Sequence, residues 1–201
     1  MASYFLFGYN SRLFNKNIKE YIDMIIGIEG GLGSGKTLMM TRYLIKDFLA
    51  GHTIYSNFHL NEIKYKLIDV MKILEDSTKG AALQDVSIGI DEITIFADCR
   101  SSMRKMNKVF SYFILQTRKR NVTLYYTTQD VSMVDIRLRR HTDIYVCADK
   151  VKDKNDKYID DIRKYTIFDN RDKITRIYTQ YLDISKYYKF YNTNEVILPP
   201  I

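Results

Sequence analysis

The chain has 201 residues, 46% of them apolar and 27% charged, which allows one sizeable core and would leave a second independent domain cramped. Its formal charge of +7, from 31 Lys plus Arg against 24 Asp plus Glu, tilts it toward polyanions such as nucleic acid, a bias that a merely basic soluble protein also carries. Cys99 and Cys147 have no C-x-x-C spacing and form no ligand cluster with His52, His59 or His141, which argues against a metal site built by the protein alone. No run approaches the ~20 apolar residues of a membrane span and no signal peptide is evident, so a soluble intracellular protein is expected.

Residues 1–22 mix aromatics with Asn, Lys and Arg and read as a packing arm. Met24 to Ile28 is an apolar run of strand type. It leads into Gly30-Gly31-Leu32-Gly33-Ser34-Gly35-Lys36-Thr37, a complete G-x-x-x-x-G-K-T phosphate loop, and Leu38 opens a helix-like segment that lasts to about Ala50. Gly51-His52 ends that helix, and Thr53 to Ser56 is a short β-rich stretch. Ile63, Leu67, Val70, Met71 and Leu74 then fall at helical spacing, and the Met and Leu positions among them, like Met39 and Met40, are expected to be core contacts. A polar link at Ser77 to Gly80 precedes a second strand, Val86 to Ile90, which ends in Asp91-Glu92. A basic helical segment, Met103 to Lys119, leads to a third strand, Val122 to Tyr126, that ends in Thr127-Thr128-Gln129-Asp130.

From Ile144 onward the pattern changes to β-rich runs, Ile144 to Cys147, Tyr158 to Phe168 and Ile174 to Leu182. The alternation of strand and helix predicts an α/β fold with a mainly parallel sheet and helices on both faces, and the later runs predict antiparallel strands or hairpins added toward one edge. The expected organisation is one domain, with the arm at 1–22, a nucleotide-binding core at 23–148 and a β-rich extension at 149–201.

The phosphate loop carries the first chemistry. Its glycines let backbone N–H groups turn inward around phosphates, Lys36 adds a mobile positive charge, and the Thr37 hydroxyl is placed to ligate Mg²⁺. Gly30, Gly31, Leu32, Gly33, Ser34, Gly35, Lys36, Thr37 and Leu38 are therefore the candidate nucleotide-binding residues. Asp91, at the end of an apolar strand, fits a carboxylate that helps hold Mg²⁺. Glu92 after it can orient and polarise a water for attack on the γ-phosphate, which suits a hydrolysing motor better than a small-molecule kinase. Lys154-Asn155-Asp156 has the wrong order for a guanine-reading motif, and this disfavours a GTPase. Gln129 ends the third strand where a sensor of the γ-phosphate can sit, although polar strand ends are also ordinary loop chemistry.

Phosphoryl transfer concentrates negative charge that many motors neutralise with an arginine from the neighbouring subunit. Arg118 and Arg120 are the first candidates, followed by Arg137, Arg139 and Arg140; all of them could instead be solvated surface charges or contacts to nucleic-acid phosphates, and spacing does not separate these readings. Arg100, Arg104, Lys105 and Lys108 could form a nucleic-acid face or a merely solvated helix face.

With these residues placed, the chain resembles the Zot-like (zonula occludens toxin) ATPases of phages, within the FtsK-HerA group of DNA-pumping and virion-assembly motors. The matching pieces are Gly30 to Thr37, Tyr55-Ser56-Asn57, Ile90-Asp91-Glu92, Arg118 to Asn121 before a strand ending Thr128-Gln129, and Tyr191-Asn192-Thr193-Asn194-Glu195. The resemblance implies a RecA-like P-loop fold, ATP with Mg²⁺, a homo-oligomer that is hexameric and ring-like, and work on DNA. It also implies a sensor role for Gln129 and a trans-acting role for Arg118.

Zot-like proteins of filamentous phages also carry a membrane-spanning segment and a further domain, which this sequence lacks. The expectation is therefore a soluble DNA-translocating motor that packages a viral or mobile-element genome, located in the host cytoplasm or on the virion. A capsid or membrane protein of the virion is a candidate docking partner. The competing reading is an assembly or extrusion protein that uses ATP without translocating DNA. A kinase would need a lid segment, and no convincing one is present.

Overall fold

The computed structural model describes residues 23–69, 83–96, 120–192 and 195. The expected arm at 1–22, Arg100, the basic segment at 103–119 with Arg104, Lys105, Lys108 and Arg118, the link at 77–80, and Val70, Met71, Leu74, Cys99, Thr193 and Asn194 lie outside them.

Among the described residues, eight strands form one sheet in the order β3-β2-β4-β5-β1-β6-β7-β8. They are β1 (Ile25–Glu29), β2 (Thr53–Ser56), β3 (Tyr65–Leu67), β4 (Val86–Ile90), β5 (Val122–Thr128), β6 (Ile144–Lys152), β7 (Tyr158–Asp169) and β8 (Arg176–Asp183). All neighbours from β3 through β6 pair in parallel, and β7 and β8 add antiparallel. The expected mainly parallel sheet with an antiparallel edge is therefore present. β6 belongs to the parallel part and is itself the template on which β7 folds back.

β4 and β5 are buried along their whole lengths, as apolar runs in a parallel sheet covered on both faces should be. One face packs against α1 (Lys36–Leu49), which crosses from β1 toward β2. Met39, Met40 and Leu44 of this helix are fully buried with Ile26, Ile28 and Ile54. α1 comes close to the sheet at Gly89, where a Cβ would lie 2.7 Å from Leu44 Cδ1 and the buried Leu44 side chain would have to shift. The opposite face gathers Ile25, Ile88, Leu124 and Tyr126, and Leu138 of a short helix, α2 (Ile136–His141), closes over them.

One buried acid locks the far end of α1. Asp47 Oδ2 accepts hydrogen bonds from Ser87 Oγ at 2.7 Å and Tyr125 Oη at 2.8 Å, which ties the helix to β4 and β5. Burial pushes its carboxyl above the ordinary value, against the pull of those two donors.

The helical reading of 63–74 is corrected at its start. Tyr65–Leu67 is a strand paired in parallel with β2, and Leu67 is exposed rather than in the core. Three residues give too short a pattern for periodicity to choose between helix and strand, and pairing with β2 decided it. Ile63 does pack against the core.

Candidate nucleotide site

In a parallel sheet the loops at the carboxyl ends of the strands share one edge, and ligands bind there. The segments following β1, β2, β4 and β5 meet at that edge and bring together residues remote in sequence.

The loop after β1 turns into α1 through Gly35, whose φ of 93° is a left-handed conformation that other residues rarely adopt. A side chain there would also begin 2.7 Å from the Tyr165 hydroxyl. Gly35 is the N-cap of α1 and offers no side-chain cap, so the first amides of this 14-residue helix are left for an anion, with the helix dipole in support. Leu38 is buried in the core and can offer only its backbone, whereas Leu32 stands exposed at the loop tip.

Lys36 is only 6% exposed, and its Nζ lies 3.2 Å from Gly31 O and 3.9 Å from Glu92 Oε1. The loop lysine therefore faces the acid proposed to handle water. Thr37 Oγ1 is 3.0 Å from Asp91 Oδ1 and 3.1 Å from Oδ2, and it donates to that carboxylate. The Thr37 hydroxyl and the Asp91 carboxylate form a pair of hard oxygen donors that fits Mg²⁺. Burial pushes the Asp91 carboxyl up from its ordinary value, opposed by hydrogen bonds from Thr127 and Thr37. Such a carboxylate gains most from a nearby cation.

Two residues given no role from the sequence hold these acids. The Asn57 side chain pairs with the Asp91 backbone at both groups: its Nδ2 donates to Asp91 O at 3.0 Å, and its Oδ1 accepts from Asp91 N–H at 2.7 Å. Thr127 donates to Asp91 Oδ1 at 2.6 Å and accepts from Glu92 N–H at 2.8 Å. Glu92 has a φ of 50°, a left-handed conformation that a non-glycine residue holds only where its surroundings fix it. The signal for both residues was their place directly at or beyond the end of a strand. Asn57→Ala is expected to lower the turnover number about tenfold, by releasing a backbone held by two hydrogen bonds, with the nucleotide Kd changed less than about threefold. Steady-state kinetics beside equilibrium titration would check it.

The remaining candidates are not gathered at the loop. Gln129 stands at the same sheet edge, immediately beyond β5, and is exposed. Arg120 precedes β5 and so lies at the opposite end of the sheet, where its carbonyl accepts from Asp85 N–H at 3.2 Å. Arg137, Arg139 and Arg140 belong to α2, whose exit reaches the start of β1, where Asp143 Oδ2 accepts from Ile25 N–H at 2.9 Å.

No protein-family model and no curated protein matches the sequence. Solved structures do match the fold. The N-terminal domain of zonular occludens toxin from Neisseria meningitidis aligns with a TM-score of 0.60 at 18% identity, covering 85% of this chain and 100% of that one. B204, the DNA-packaging ATPase from Sulfolobus Turreted Icosahedral Virus, gives 0.51 at 17% identity, with 77% and 96% covered. The pCW3 conjugation coupling protein TcpA, in its monomer form, gives 0.57 at 14% identity, with 82% of this chain and 61% of that one covered. At these identities the likeness shows the fold, a RecA-like P-loop architecture, in agreement with what the Zot-like resemblance implied. Among the described residues no helix is long and apolar enough to cross a membrane.

Proposed function

We propose that the chain is an ATP-hydrolysing motor that translocates DNA, working in the packaging of a viral or mobile-element genome. The observation that carries this reading is the convergence of Lys36, Thr37, Asp91 and Glu92 at one sheet edge, with Lys36 Nζ 3.9 Å from the Glu92 carboxylate. In this reading the loop from Gly30 to Leu38 binds the triphosphate of ATP. Thr37 and Asp91 hold Mg²⁺, which supplies charge neutralisation on the phosphates. Glu92 draws a proton from the attacking water, and Gln129 senses the γ-phosphate.

Residues 1–201 act as a single P-loop domain in a hexameric ring, and an arginine reaches each site from the neighbouring copy. Arg118 and Arg120 are the candidates for that arginine. DNA is the substrate track. The +7 charge and the fold shared with B204, described as a DNA-packaging ATPase, support this choice. A capsid or membrane protein of the virion would dock the ring, in the host cytoplasm or on the particle.

The test is ATP turnover by the purified chain with and without double-stranded DNA, alongside its mass in solution. Severalfold stimulation by DNA in a ring-sized assembly is expected. Turnover indifferent to DNA, with no DNA binding at low salt, would overturn translocation and favour an ATP-dependent assembly protein.

A further inference from the structure

β7 belongs to the antiparallel edge of the sheet, yet it touches the phosphate loop. Arg163 and Tyr165 stand two residues apart on this strand and so share a face. The Tyr165 hydroxyl donates to Gly35 O at 3.0 Å, from a ring that is fully buried in the α1 core. Arg163 Nε donates to Gly33 O at 3.2 Å. Alternate carbonyls of the loop are thus gripped from outside by one strand.

The grip is rigid for a local reason. Pairing of β6 with β7 slips opposite Arg163, so that Lys150 pairs with Arg163 and Val151 with Ile159. The slip loops out the intervening residues of β7. Arg163 Nη1 gathers the carbonyls of Ile159, Asp160 and Ile162 there, at 3.1, 2.8 and 2.9 Å, which fixes the guanidinium and leaves Nε aimed at the loop.

A trans peptide is planar, with its carbonyl and the following N–H pointing in opposite directions. Holding Gly33 O and Gly35 O against β7 therefore turns the N–H groups of Ser34 and Lys36 away from β7. The Ser34 N–H crosses the loop to Gly31 O at 3.2 Å, and the Lys36 N–H opens α1. We propose that Arg163 and Tyr165 are positioning residues of the nucleotide site: Arg163 holds the Gly33–Ser34 peptide in the turn that Ser34 N–H closes on Gly31 O, and Tyr165, beside the α1 bond from Met39 N–H to the same Gly35 O, holds the Gly35–Lys36 peptide with its N–H free to face an anion. The antiparallel extension is then a working part of the site in the same subunit. The inference rests on the reading of Gly30 to Thr37 as a triphosphate site.

The test measures the Kd of a fluorescent ATP analogue with Mg²⁺, KM, the turnover number and the Tm for wild type, Tyr165→Phe, Arg163→Met and Arg163→Lys. Tyr165→Phe keeps the buried ring and removes only the donor. Tyr165→Phe is expected to raise Kd and KM about fivefold, the factor carried by one hydrogen bond of ordinary net strength, and Arg163→Met at least as much because it also releases the three carbonyls held by Nη1, each with the turnover number within about twofold. Arg163→Lys, which keeps a donor, is expected to recover part of the loss at the Tm of Arg163→Met. Kd values within about twofold of wild type for both Tyr165→Phe and Arg163→Met would overturn the proposal, as would weakened binding that tracks Tm and is not rescued by lysine. A wild type that binds no ATP would instead overturn the reading of the loop itself.

Discussion

Glu92→Gln is expected to bind ATP as wild type does and to hydrolyse it roughly two to four orders of magnitude more slowly, the loss for a missing general base. The amide has the size of the carboxylate and keeps the Glu92 N–H bond to Thr127, which belongs to the backbone. What disappears is the negative oxygen 3.9 Å from Lys36 and the basicity needed to take a proton from water. Single-turnover hydrolysis beside equilibrium binding separates the two effects. Retained turnover would reduce Glu92 to a strand-end acid and leave the site one that binds nucleotide without consuming it.

Lys36→Ala is expected to weaken ATP binding by a factor on the order of a hundred or more and to abolish turnover with it. Lys36 is buried at the first position of α1 and is the loop's own cation, so its loss leaves the loop with only backbone amides to oppose the triphosphate charge. Alanine is the best helix former, and α1 should start as before. Titration with a fluorescent ATP analogue and a thermal melt would show lost affinity without lost fold. Together the variants discriminate between functions. A translocating motor fails with either one, whereas a protein that uses ATP only as an assembly switch keeps assembling with Glu92→Gln and stops with Lys36→Ala.

The parts of this site that were legible in the sequence are those whose chemistry is local. Gly30 to Thr37 is contiguous, and Asp91-Glu92 closes an apolar run. The strand, loop and helix order around Lys36 and the parallel sheet also followed from local patterns. Asn57 was visible as a residue beyond a strand, but its grip on Asp91 spans 34 residues and exists only because β2 lies beside β4. Thr127 reaches Asp91 across the β4–β5 pairing in the same way. Arg163 and Tyr165 reach the loop across 130 residues, through a strand whose pattern revealed only that it was a strand. Leu67 departs from the helical pattern for a related reason, because a three-residue edge strand owes its conformation to its neighbour and not to its own periodicity.

If Arg120 is the arginine proposed to reach a neighbouring site, its position sets a counting rule. Its strand, β5, is seven residues long and buried throughout, about 23 Å at ~3.3 Å per residue, with Arg120 before one end and Thr127 near the other. A copy cannot fold that arginine back onto its own phosphate loop. If the arginine completes catalysis, an isolated copy contains no finished site, an open row of copies has one fewer than its members, and only a closed ring has as many as its members. Catalytic capacity would then depend on closure, and a single stalled junction would subtract one site without unfolding anything.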